Sequence, residues 1–81
     1  MRVNVLLFAS LREAVGKRTV ALELSDDATV AGLLTAISEA YPSIASLLPS
    51  VKVAVNGELA RPERSLSDGD EVALLPPFGG G

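Results

Sequence analysis

The residues of this 81-residue sequence with the most distinctive chemical potential are its last three, Gly79-Gly80-Gly81. A chain that ends there presents a carboxylate with no side chain on the final three residues. So thin a stalk fits a narrow tunnel, where any Cβ would thicken it and restrict its backbone angles. A carboxylate is inert toward sulfur or amine nucleophiles until it is activated. Transfer onto the α-phosphate of a nucleotide makes it an acyl adenylate, which both nucleophiles attack. Gly81 is then the reactive residue, and no side chain takes part. Pro76-Pro77 predicts a stiff, extended base that holds the stalk away from the body of the protein. The plainer alternative is a frayed glycine tail, against which the preceding Pro-Pro-Phe weighs.

The composition leaves little other chemistry. Without Cys there is no thiolate nucleophile, disulfide framework or thiolate zinc site; without His there is no imidazole base and no Ser–His pair. No GxGxxG or P-loop pattern occurs, so the chain is expected to hold no nucleotide or other cofactor itself. Asp26-Asp27 and Asp68/Asp70 sit in turn sequences and read as turn formers, so no metal site is expected. The net charge of −3, from 7 Lys/Arg and 10 Asp/Glu, provides no basic footprint for nucleic acid. No apolar run reaches the ~20 residues of a membrane helix, and no basic-then-apolar leader opens at Met1. The expectation is a small cytoplasmic protein, 48% hydrophobic and therefore folded.

The tail needs a body to position it. Arg2–Phe8 reads as a strand, with Val3, Val5 and Leu7 on one side and Asn4, Leu6 and Phe8 on the other. Ser10-Leu11-Arg12-Glu13 has the capping-box pattern, which predicts a short helix capped by Ser10 and stopped by Gly16. Lys17–Leu24 reads as a strand with Val20, Leu22 and Leu24 inward, antiparallel to the first. Thr29–Tyr41 is the main helix: Thr29 caps it, Val30, Leu33, Leu34, Ile37 and Tyr41 form its apolar stripe, and Pro42 ends it. Gly32 weakens that helix by ~1 kcal/mol relative to Ala, which close packing would explain. Ser43–Leu48 reads as a further helical turn closed by Pro49. Val51–Val55 is a strand, Asn56-Gly57 a hairpin turn, and Glu58–Ala60 a short return strand. Ser67-Asp68-Gly69-Asp70 turns the chain into a last strand, Glu71–Leu75. One long helix on a mixed four- or five-stranded sheet is an α+β roll. First and last strands lying parallel at its centre would make it a β-grasp fold. Residues 1–75 form the domain, and 76–81 an extended, flexible tail.

With a single long helix, only one sheet face is covered. Leu6 and Phe8 then share an outer face with Ala54, Ala73 and Leu75, and an uncovered apolar patch of that kind marks a partner surface. Arg12 and Glu13 read as a solvated pair, and Lys52 as a solvated edge charge that could also touch a partner.

These residues also carry a resemblance. The segment Phe8-Ala9-Ser10-Leu11-Arg12-Glu13-Ala14-Val15-Gly16, the strand Ala54-Val55-Asn56, the run Leu66 to Ala73 (LSDGDEVA) and the ending Pro76-Pro77-Phe78-Gly79-Gly80-Gly81 resemble the small subunit of molybdopterin synthase (MoaD type). This belongs to the MoaD/ThiS group of ubiquitin-like sulfur carriers, and the resemblance runs from about Val3 to Gly81. It implies that Gly81 is adenylated with ATP by an E1-like adenylyltransferase (MoeB type). A sulfur donor such as a cysteine desulfurase then supplies the sulfur of a thiocarboxylate. The tail enters a large subunit (MoaE type), within a heterotetramer, and donates sulfur to cyclic pyranopterin monophosphate. Gly80 and Gly81 carry over as the functional tail. Phe8, Leu75 and Phe78 carry over as partner contacts, supported by the outward-face pattern, and Leu6, Pro76 and Pro77 are expected to join them. Gly79 departs from the family, which usually has a small polar residue or Ala there. Three other readings stay open: a carrier for transfer-RNA thiolation, thiamine or cysteine synthesis; a ubiquitin-like modifier joined to lysines through Gly81; and a plain interaction module.

Overall fold

A computed structural model describes residues 1–77. Strand β1 (Arg2–Leu7) runs into helix α1 (Ala9–Val15), followed by β2 (Thr19–Glu23), α2 (Val30–Ala40), β3 (Lys52–Val55), β4 (Glu58–Ala60) and β5 (Glu71–Leu75). Two single 3-10 turns, Pro42–Ile44 and Leu48–Ser50, link α2 to β3. The strands form one sheet in the order β2-β1-β5-β3-β4. The first and last strands lie parallel at its centre, and every other neighbouring pair is antiparallel. This is the α+β, β-grasp roll that the strand order predicts.

The period-two pattern sets the core. Cross-strand partners place Val20, Val5, Val72 and Val55 in one row and Leu7, Leu74, Val53 and Ala60 in the next, all facing the helices. Val30, Leu33 and Ile37 of α2, Leu11 of α1, and Ile44 and Leu48 from the 3-10 turns complete one buried cluster. Leu34 and Tyr41, the flanks of the α2 stripe, pack against it half-buried. No polar or charged side chain is buried among the described residues, so dry apolar contact holds the fold together. No helix among them is long and apolar enough to cross a membrane.

Four local expectations need correction. Ser10 does not cap α1: the cap is Phe8, in extended backbone, with no side-chain hydrogen bond. The strand passes directly into the helix, so the Phe8 carbonyl accepts the first amides, from Leu11 at 3.1 Å and Arg12 at 3.4 Å. Ser10 is already inside the first turn. Ser43–Leu48 forms no single helical turn: the chain makes two separate 3-10 turns, one opening at Pro42 and the other at Leu48, so Pro49 lies within the second one. Gly32 is not explained by close packing: a Cβ there would meet only the Thr29 hydroxyl, at 3.8 Å. Pro77 takes a tight 3-10 conformation where the proline pair predicts an extended path.

Other punctuation behaves as its chemistry dictates. Thr29 caps α2 by accepting the Gly32 amide at 3.3 Å. Gly16 ends α1 at φ 81, donating to the Arg12 carbonyl at 2.7 Å. Asn56 and Gly57 both have positive φ, 50 and 85, as a two-residue primed hairpin turn requires. Asn56 also ties two turns together. Its amide nitrogen donates to Asp70 Oδ1 at 3.0 Å, and its oxygen accepts the Glu71 N–H at 3.0 Å. Asp70 Oδ2 accepts the Ser67 N–H at 2.8 Å. These two donors, the backbone amide first, hold the Asp70 carboxyl below its ordinary value of 3.8.

Candidate functional site: an open sheet face at the root of the tail

The outer row of the sheet is Thr19, Leu6, Ala73, Ala54 and Leu59, joined by successive cross-strand pairings. The next row toward the end of β5 brings Leu75 opposite Lys52. Leu6, Ala54, Ala73 and Leu75 are half-buried, and Phe8 is 41% exposed. All the core-forming helical residues belong to the cluster on the other face.

Phe8 reaches its place through an uncommon backbone. It is the last extended residue, and Ala9, which opens α1, has φ 49. A left-handed residue with a Cβ costs roughly 1–2 kcal/mol. The surrounding sheet and helix hold it there. This switch sends the chain from strand to helix in one residue and leaves the Phe8 ring standing at the end of the sheet. A groove of about 600 Å³ opens there, lined by Phe8, Ala9, Ser10, Arg12, Glu13, Leu75 and Pro76. A smaller hollow on its other side is lined by Leu6, Phe8, Arg12, Arg18 and Thr19, among others.

The structure therefore brings Phe8, Leu75 and Pro76 together, with Leu6 adjoining them through Phe8. Pro77 is exposed at the start of the tail. Phe78, Gly79, Gly80 and Gly81 lie outside the described residues. Two features of this surface escape the pattern reading. Leu59, 69% exposed, extends the outer row at the β4 edge. Its parity depends on the Ala54–Leu59 pairing, which strand periodicity in so short a segment does not reveal. Arg12 and Glu13 are exposed to solvent as expected, and they also line the groove; their position beside Phe8 follows from the one-residue turn at Ala9.

The acidic turns are already occupied. Asp68 Oδ1 accepts the Arg2 N–H at 2.7 Å, Asp70 accepts the two donors described above, and Asp26 accepts from the Met1 ammonium at 3.3 Å. Among the described residues no group of three or more His, Cys, Asp or Glu is placed to hold a metal ion. The hydroxyls of Ser10 in the groove and Thr19 in the outer row have no His in the sequence to act as their base. The open face is an exposed, largely apolar surface with charged residues at its margin, set where β5 ends.

A profile of the ThiS family matches residues 5–81. The chain belongs to the ThiS family. The molybdopterin synthase sulfur carrier subunit of Chlamydomonas reinhardtii is 41% identical to this ThiS-family chain over 83 aligned positions, covering the whole of both. Small archaeal modifier protein 1 of Haloferax volcanii is 40% identical, with 93% of this chain and 95% of that protein covered. Its crystal structure superposes with a TM-score of 0.92 over the full length of both chains. The complex of subunits 1 and 2 of the molybdopterin-converting factor from Helicobacter pylori contains a chain that matches with a TM-score of 0.71 and 27% identity, all of both chains being covered. The full-length relatives named as molybdopterin synthase carriers support a sulfur-carrier role.

Proposed function

We propose that this chain is the sulfur-carrier subunit of a molybdopterin synthase, with Gly81 as its reactive residue. The observation that carries the reading is the uncovered Phe8–Leu75–Pro76 surface at the base of a sequence ending Gly-Gly-Gly. A Gly81 carboxylate oxygen attacks the α-phosphorus of ATP in an E1-like adenylyltransferase, and pyrophosphate leaves. The terminal sulfur of a persulfide, supplied by a donor such as a cysteine desulfurase, displaces AMP to form an acyl disulfide. A thiol then cleaves that disulfide, leaving the thiocarboxylate on Gly81 and a new disulfide on the donor side. The large subunit then seats the outer face and takes in the tail. The thiocarboxylate sulfur bonds to cyclic pyranopterin monophosphate, and water hydrolyses the resulting thioester so that Gly81 returns to the carboxylate. The division of labour suits the composition: the carrier supplies an activated end, and the partner supplies the pocket and the acid–base groups that a chain without His or Cys lacks.

The test is intact-mass spectrometry after incubation with ATP, the activating enzyme and a sulfur source, with the fragment spectrum read at Gly81. One oxygen replaced by sulfur at that residue is the expected result. An unmodified mass, with an activating enzyme active on another carrier, contradicts it. The relation to small archaeal modifier protein 1 favours a second reading, in which the same acyl adenylate is attacked by a lysine amine of a target protein. That reading predicts isopeptide-linked adducts through Gly81, visible as a ladder on a denaturing gel.

A further inference from the structure

Resting on the carrier reading, we infer that the partner seated on the open face ringed its apolar contact with carboxylates, because the tail end of this face is rimmed by cations. Arg12 lines the groove with Phe8 and Leu75, Arg18 lines the hollow beside Leu6 and Phe8, and Lys52 is the cross-strand neighbour of Leu75. One carboxylate, Glu13, shares the groove. None of the three cations forms an ion pair among the described residues, where the pairs are Met1 with Asp26 and Arg61 with Glu63.

The remainder of the chain is acidic, since the net charge is −3. At the other end of the sheet Glu23 faces Arg2, Glu71 faces Asn4, and the Asp68 and Asp70 turn follows. The molecule is thus polarised along its strands, positive where the tail emerges and negative opposite. A partner with an acidic rim is turned by this field to meet the Phe8–Leu75 end first. A basic rim would be repelled from the only end at which the tail leaves. Charges at the rim of an interface act mainly on the rate of association and its salt dependence.

The experiment is stopped-flow association of the full-length chain with a purified molybdopterin synthase large subunit at rising salt. The wild-type rate should fall several-fold between ~50 and ~300 mM salt, as the screening length shortens. The double variant Arg18→Glu/Lys52→Glu should associate about tenfold more slowly at low salt, with a nearly flat salt dependence and little change in dissociation rate. Arg2→Glu/Arg64→Glu makes the same change in net charge beside the Asp68 and Asp70 turn, where the Arg2 backbone bonds Asp68 and the Arg64 charge acts on Asp70, and should stay within about twofold of wild type. All variants are exposed-residue changes, checked for fold by circular dichroism. Equal slowing by both doubles, no slowing by the first, or a salt-independent wild-type rate overturns the inference while leaving the carrier reading intact. Absence of any complex removes both.

Discussion

Val5 and Val72 on one face of the sheet have no exposed surface, whereas Leu6 and Leu75 on the same two strands keep part of theirs. The residues are alike in chemistry and differ in what lies over them. On the covered face, α2, α1 and the 3-10 turns remove the valines from water, and that free energy, roughly 25 cal/mol per Å² of apolar surface, is committed to folding. On the open face the same kind of surface is left for association. The comparison separates two jobs within a few ångströms: stability belongs to the helix side, and the proposed partner contact to the side that bears Phe8 and Leu75. The tail follows β5 in sequence, and β5 contributes to both faces, so docking the open face fixes where the tail begins.

The largest effect should come from the covered face. Leu33→Ala, at a fully buried position of α2, should cost about 2–5 kcal/mol, a large part of the stability of a domain this small. Urea denaturation should show the midpoint collapse, and loss of partner binding should merely track the loss of fold. Phe8→Asp should reverse that pattern. Phe8 occupies the N-cap of α1, where Asp is among the favoured residues, so the melting temperature should be maintained or rise. Complex formation with the large subunit should weaken by about 2–4 kcal/mol, measured by calorimetry, because an anchor at the centre of the contact is lost and a charge takes its place. A variant that both melts early and binds normally would erase the distinction between the faces.

Smaller effects sharpen it. Asp70 holds its carboxyl low in the folded state through Ser67 and Asn56. Its contribution is therefore complete above the unfolded-state value of ~3.9 and is lost as pH falls through the folded value. Asp70→Ala should cost about 1 kcal/mol or less at neutral pH and should flatten the acid limb of a denaturation series below about pH 4. Partner binding at neutral pH should not change, since this turn lies at the opposite end of β5 from Leu75. Gly32→Ala should raise stability by about 1 kcal/mol, because the added methyl meets only the Thr29 hydroxyl at van der Waals distance. Chemical denaturation measures it, and binding should again be unaffected.

Much of this division is legible in the sequence because it rests on local rules. Alternation places Val3 against Leu6, helical spacing finds Val30, Leu33 and Ile37, and Asn56-Gly57 and Gly16 announce their turns. Phe8 and Leu75 fall on the open face by parity alone. What escapes the sequence is set by distant contacts. The cap at Phe8 depends on Ala9 being held left-handed between a sheet and a helix, and a capping-box pattern starting one residue past the helix start misdirects the reading to Ser10. Leu59 joins the surface only through its pairing with Ala54, and Arg12 only because the one-residue turn swings α1 beside Phe8. The Asn56–Asp70 bond joins residues 14 apart that no local pattern connects.

Whether the open face delivers a sulfur-bearing Gly81 to its partner can be read by following that sulfur. Thiocarboxylated wild type and Phe8→Asp would each be mixed with the large subunit and cyclic pyranopterin monophosphate, and the mass of the chain followed over time. Wild type should return to the carboxylate as the pterin gains sulfur, while folded Phe8→Asp should keep its thiocarboxylate. Equal sulfur loss from both, or loss from neither with an active large subunit, would contradict that delivery.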